Sequence, residues 1–269
     1  MLHRAVALTA FCLVSCGSPP PPATTAPTAT AAPPPAAPTA TAEPAPVEDA
    51  GSTAATPETP PPEEDTSGSP RERLMRAHFK ETAVIRKAVI DGALAATVKP
   101  AAALESMKGL GTVQGSWKPS LDALGKAAKR FGQSPDLPSA TAAIADIGVA
   151  CGSCHKAAGG PKLQVEAPPV AGKTLEDRMK RHAWASERLW EGLYVPSDAA
   201  WKAGADALVG EEFPKEVLAK GGVHARSAAV RFGALVPTAA AKKSAGDRAK
   251  LYAELLETCS ACHMAARGK

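Results

Sequence analysis

Ile144-Ala145-Asp146-Ile147-Gly148-Val149-Ala150-Cys151-Gly152-Ser153-Cys154-His155 and Tyr252-Ala253-Glu254-Leu255-Leu256-Glu257-Thr258-Cys259-Ser260-Ala261-Cys262-His263 are two versions of one pattern, 108 residues apart. In the first, Ile144, Ile147, Cys151 and Cys154 recur at the 3-4-3 spacing of one helix face. In the second, Tyr252, Leu255, Cys259 and Cys262 do the same. The cysteines therefore extend an apolar seam into a helical interior. Composition agrees: 45% hydrophobic residues with only 4% aromatics, and a heavy use of Ala, suit small-residue helices rather than a β-sandwich.

Both stretches end in C-x-x-C-H, the attachment signature of c-type haem. Two thiols spaced by two residues add to the two vinyl groups, and the next His lies under the iron. Of six cysteines, Cys12 and Cys16 belong to the leader, and the other four are used by the two motifs, leaving none for a disulfide. Exported proteins usually oxidise such pairs, so thioether bonding explains vicinal thiols in an oxidising compartment. A zinc site built from the two C-x-x-C pairs and a thioredoxin-like redox pair are the competing readings. The paired copies, each followed by His, favour haem.

The duplication runs further upstream. Ala127-Ala128-Lys129-Arg130-Phe131-Gly132 matches Ala228-Ala229-Val230-Arg231-Phe232-Gly233, and Met75-Arg76-Ala77-His78 matches Met179-Lys180-Arg181-His182. Each half reads as four helices. In the first half these run from about Arg71 to Ala95, from Pro100 to about Lys108, from Pro119 to Gly132, and from a cap at Ser139 to Gly159-Gly160. In the second half Thr174 caps one helix and Ser197 or Asp198 begins the next. A third spans roughly Val223 to Phe232, Asp247 caps the last, and a short extra helix is expected near Pro214.

The remainder of the chain is not globular. Sixteen of its 26 prolines fall between Ser18 and Pro70. Residues 1–15 read as an export signal with a short apolar run, and Leu13-Val14-Ser15-Cys16 resembles the lipobox of bacterial lipoproteins, making Cys16 the expected lipid attachment point. Residues 16–70 read as a disordered tether rich in Pro, Ala and Thr. No later stretch is expected to be apolar enough to cross a membrane. The expected folded segments are residues 71–160 and 174–269, joined by a linker over 161–173. From Arg71 onward, 30 basic side chains stand against 20 acidic ones.

Four helices with C-x-x-C-H near the end of the last resemble cytochrome c′ and its low-spin relatives, the four-helix cytochromes c-556, here as a tandem pair. The resemblance implies an all-α fold of two up-down-up-down bundles, each with one haem between its helices. It carries Cys151 and Cys154, and Cys259 and Cys262, as covalent attachment points, with His155 and His263 as proximal iron ligands, for two haem c groups in all. It leaves the opposite face of each iron undecided, since some members supply Met there and others nothing.

The residues narrow that choice without closing it. His78 and His182 are paired by the repeat on the first helix of each half, and Met75 and Met179 stand one turn earlier on nearly the same face. Imidazole suits either iron oxidation state, thioether favours Fe(II), and an open site is the third option. Arg130 and Arg231 beside Phe are candidates for haem propionate contacts or for solvated helix faces. No Ser-His-Asp pattern, phosphate loop or second metal cluster is evident. One-electron transfer is therefore expected, with acidic redox partners, and with no nucleic acid and no substrate of its own. Gas binding by five-coordinate haem is the rival, and peroxidatic chemistry a third option. Gly17 after the lipidated Cys leans toward the outer membrane of the cell envelope.

Overall fold

The computed structural model describes residues 67–106, 115–211 and 213–268. The signal, Cys16, the tether up to residue 66 and the expected helix end at Lys108 lie outside the described residues. All described residues belong to the compact unit Pro61–Lys269. Among them every regular element is helical: α1 (Pro70–Ile90), α2 (Val98–Ser106), α3 (Lys118–Gly132), α4 (Leu137–Ala158), α5 (Leu175–Tyr194), α6 (Asp198–Leu208), α7 (Lys215–Lys220), α8 (Gly222–Ala239) and α9 (Ala245–Ala266).

The helix ends follow from local chemistry. Ser69 and Glu72 form a reciprocal capping box in front of α1, with Pro70 at the first position, where its missing N–H costs nothing. Gly92, at φ 67°, allows the left-handed turn that follows α1, so the helix stops at Ile90 rather than near Ala95. Thr174 caps α5 and Ser197 caps α6, as expected. Two caps differ. Asp136, not Ser139, caps α4, its carboxylate accepting from the Ser139 N–H at 2.9 Å. Ser244, not Asp247, caps α9, its hydroxyl accepting from the Asp247 N–H at 3.0 Å. In both cases the expected cap is the third helical residue, the usual donor to a cap oxygen. The helix expected to stop near Phe232 continues to Ala239, because Val236 and Ala239 are buried and reward another two turns.

One expectation about membranes is corrected. Leu137–Ala158 is long and apolar enough to cross a bilayer by length and composition. Half of its apolar window is buried inside the protein, against α3, α9 and α5, so its hydrophobicity is that of a core helix.

The two motif helices, α4 and α9, pack on one another, and the first helix of each half lies against the motif helix of the other: α1 on α9, and α5 on α4. α3 covers the outer side of α4, and α8 that of α9. The buried side chains form one continuous core that takes Ile144 and Ile147 from the first half and Trp190, Tyr252 and Leu256 from the second. Gly148 makes the α4–α5 contact possible, since a Cβ there would lie 2.6 Å from the Trp190 ring. At the centre Arg86 is buried. Its Nε donates to the Tyr252 hydroxyl at 2.9 Å, its two terminal nitrogens donate to Glu187 at 3.0 and 2.8 Å, and its guanidinium lies 4.9 Å from the Trp190 ring centre. One side chain thus joins α1, α5 and α9.

Candidate functional site

In the first half, α1, α3 and α4 wall a cavity of about 760 Å³, within the range of cofactor pockets. Met75 and His78 enter from α1, Leu121 and Leu124 from α3, and Cys151, Cys154 and His155 from α4. Five residues singled out from sequence therefore meet in one mostly apolar space. The amphipathic α1 carries His78 inward one turn beyond Met75, and Gly159, at φ 68°, ends α4 just past His155.

The state of these groups follows from burial. His78 Nδ1 is buried without a hydrogen-bond partner, and desolvation holds its pKa below the ordinary range, so the ring is neutral at pH 7. Burial, with the Cys154 thiol close by, pushes Cys151 up to about 12, and burial also raises Cys154. These are neutral thiols, whereas a thioredoxin-like pair needs a lowered pKa. Among the described residues no three His, Cys, Asp or Glu side chains gather as a metal ion would require. The His155 Nδ1 lies 2.7 Å from the Tyr194 carbonyl and donates to it, which leaves Nε2 as the free lone pair.

The second half repeats the residues with a different filling. His182 stacks on Phe232, ring centres 5.4 Å apart, and meets Phe213 edge-on at 5.8 Å. Its Nε2 is buried without a partner, and burial, with minor repulsion from Arg178 and His263, lowers its pKa to about 4. Met179 is half-buried on the same helix. Burial pushes Cys259 up to about 12 and raises Cys262. The His263 Nδ1 is 3.8 Å from an Asp91 carboxylate oxygen.

Each member of the arginine pair meets an acid on the neighbouring motif helix. Arg130 is exposed and bonds Asp146 at 2.6 Å, Arg231 pairs with Glu257 at 2.5 Å, and Arg130 is absent from the cavity wall. The guanidinium groups at the cavity are those of Arg71 and Arg76. Tyr194, which sequence reasoning missed, comes with Trp190 from the second half to close the first half's cavity. No local signal marks them, because their role depends on how the halves pack. No protein-family description, curated protein or solved structure matches this chain.

Proposed function

We propose that the chain carries two covalently attached haem groups, one in each four-helix half, and moves single electrons outside the cytoplasm as a tandem c-type cytochrome. The carrying observation is the cavity that Met75, His78, Cys151, Cys154 and His155 share. Haem supplies a one-electron couple, Fe(III) to Fe(II), when bound. The chain's residues do the rest. Cys151 and Cys154 offer neutral thiols for thioether attachment, and His155 offers Nε2 because its other nitrogen is occupied. His78 is a neutral imidazole whose buried Nδ1 lacks a partner, and His182 is its counterpart, which favours imidazole over the thioethers of Met75 and Met179 as the second iron ligand. Leu104, Leu124 and Trp190 keep the space dry. Cys259, Cys262 and His263 take the corresponding roles in the second half.

Such a protein is an electron carrier rather than an enzyme. Lipid attachment at Cys16 would hold it in the cell envelope, with the outer membrane favoured, and the basic excess from Arg71 onward suits acidic redox partners.

The optical spectrum of the ferrous protein tests the proposal. Sharp low-spin bands unmoved by CO are expected. His78→Ala should convert one haem of two to a high-spin form that accepts CO, while Met75→Ala leaves the spectrum nearly unchanged. Loss of a sulfur-to-iron band on Met75→Ala would transfer the role to methionine. A wild-type spectrum that is high spin and shifts with CO would favour gas binding. A mass showing four unmodified thiols would overturn the haem proposal altogether.

A further inference from the structure

The two proximal histidines have unlike partners, and both partners come from the opposite half of the chain. His155 Nδ1, on α4, meets the carbonyl of Tyr194, the last residue of α5. His263 Nδ1, on α9, faces the carboxylate of Asp91, the residue that closes α1. In the repeat that aligns Met75 with Met179, Asp91 falls on Val195, the neighbour of Tyr194. The two contacts are therefore the same contact made twice, between the end of a first helix and the motif helix of the other half. The glycines at these crossings agree. A Cβ on Gly152 of α4 would lie 2.2 Å from the Leu193 carbonyl oxygen, and a Cβ on Gly92, just past α1, would lie 2.6 Å from Met264 Sδ of α9.

The difference between the two contacts is charge. The Tyr194 carbonyl is neutral. Asp91 is an anion held in place by Arg267, whose guanidinium bonds its carboxylate at 2.6 Å and its backbone carbonyl at 3.2 Å, and by Lys87 on its own helix. At 3.8 Å the carboxylate acts on the His263 ring through its charge rather than through a hydrogen bond. Outer partners of a ligating imidazole set its orientation and its basicity, and so tune the metal.

We propose that Asp91 is a positioning residue for His263 across the halves, and that the Asp91–Arg267 pair sets the reduction potential of the second iron independently of the first. This rests on the haem reading above. Removing the anion takes negative charge from beside the imidazole and favours Fe(II), and removing the guanidinium does the reverse.

The test is a spectroelectrochemical titration of the full-length protein with dithionite, each iron taking one electron, after mass analysis has established two haems. Assignment uses a Cys151→Ala/Cys154→Ala chain that retains only the second haem. Asp91→Asn should raise the potential of the His263 iron by about 59 mV, a tenfold change in the Fe(III)/Fe(II) ratio for a one-electron couple. Arg267→Gln should lower the same potential, Asp91→Glu should restore the wild-type value, and the His155 iron should stay in place throughout. A merely structural role cannot produce opposite shifts at one iron. Two haems present with no shift on Asp91→Asn, with shifts of the same sign for both variants, or with the His155 iron moving instead, would overturn the inference while leaving the haem reading intact. Absence of haem in the wild-type mass would instead remove the reading on which it stands.

Discussion

Replacing Arg86 with Met should destabilise the protein by about 3 kcal/mol, and the figure can be worked from the contacts. The buried bond to the Tyr252 hydroxyl is lost, and that hydroxyl, kept protonated by burial, retains only Ser186 as a partner, at about 1–3 kcal/mol. The paired bonds to Glu187 contribute less than a buried ion pair would, about 1 kcal/mol, because the Glu187 side chain is 50% exposed and regains water. The stacking of the guanidinium on Trp190 adds about 1 kcal/mol, offset by the apolar packing of Met itself. Urea denaturation followed by far-ultraviolet circular dichroism and by Trp fluorescence measures the loss. At about 2 kcal/mol per M, the midpoint should fall by roughly 1.5 M. Because Arg86 ties α1 to α5 and α9, both probes should still report one coincident transition. A fall below about 0.5 M, or two separated transitions in the wild type, would refute the claim that one buried side chain knits the halves together.

Gly152→Ala should cost about 2 kcal/mol, because the new methyl meets the Leu193 carbonyl and the start of the next turn, whereas Gly233→Ala, in open space on α8, should be neutral or stabilising by up to about 1 kcal/mol. Equilibrium unfolding of the two variants side by side checks this, and equal effects would contradict the close approach. A third prediction concerns pH in the haem-free chain. His182 is neutral when folded, with its pKa lowered by burial to about 4, so its contribution is full above pH 6.5 and is lost as pH falls toward 4. That amounts to about 3 kcal/mol, and a His182→Leu chain should lack this part of the acid dependence. Identical pH profiles for the two chains would refute it.

The helices and the first cavity's own residues were legible because their signals are local. Ile144, Ile147, Cys151 and Cys154 announce a helix face within eleven residues, and the Met-x-x-His repeat places Met75 and His78 on the same element before any packing is known. Cap positions slipped by three residues where two polar residues competed, as Asp136 and Ser139 do, since either chemistry serves. The role of Arg130 was illegible for another reason. The repeat showed that an arginine recurs, but whether it faces a cavity or an acid on the next helix depends on helix rotation, and in the fold Arg130 meets Asp146. Least visible was the exchange between halves. Nothing near Trp190 or Asp91 in sequence indicates a partner on a helix about 40 or 170 residues away.

That exchange bears on how such a chain could arise. Arg86 and Trp190 occupy equivalent places in the repeat and touch each other, as residues beside a twofold axis do. A polypeptide holding one repeat alone would present the end of its first helix and the back of its motif helix to solvent, and a second copy would cover both at once. The contact of Arg86 with Trp190 has in that sense the form of an isologous interface carried within one chain. Association no longer depends on concentration, and once the two copies share a backbone each can diverge, as Val195 and Asp91 have, without losing its mate.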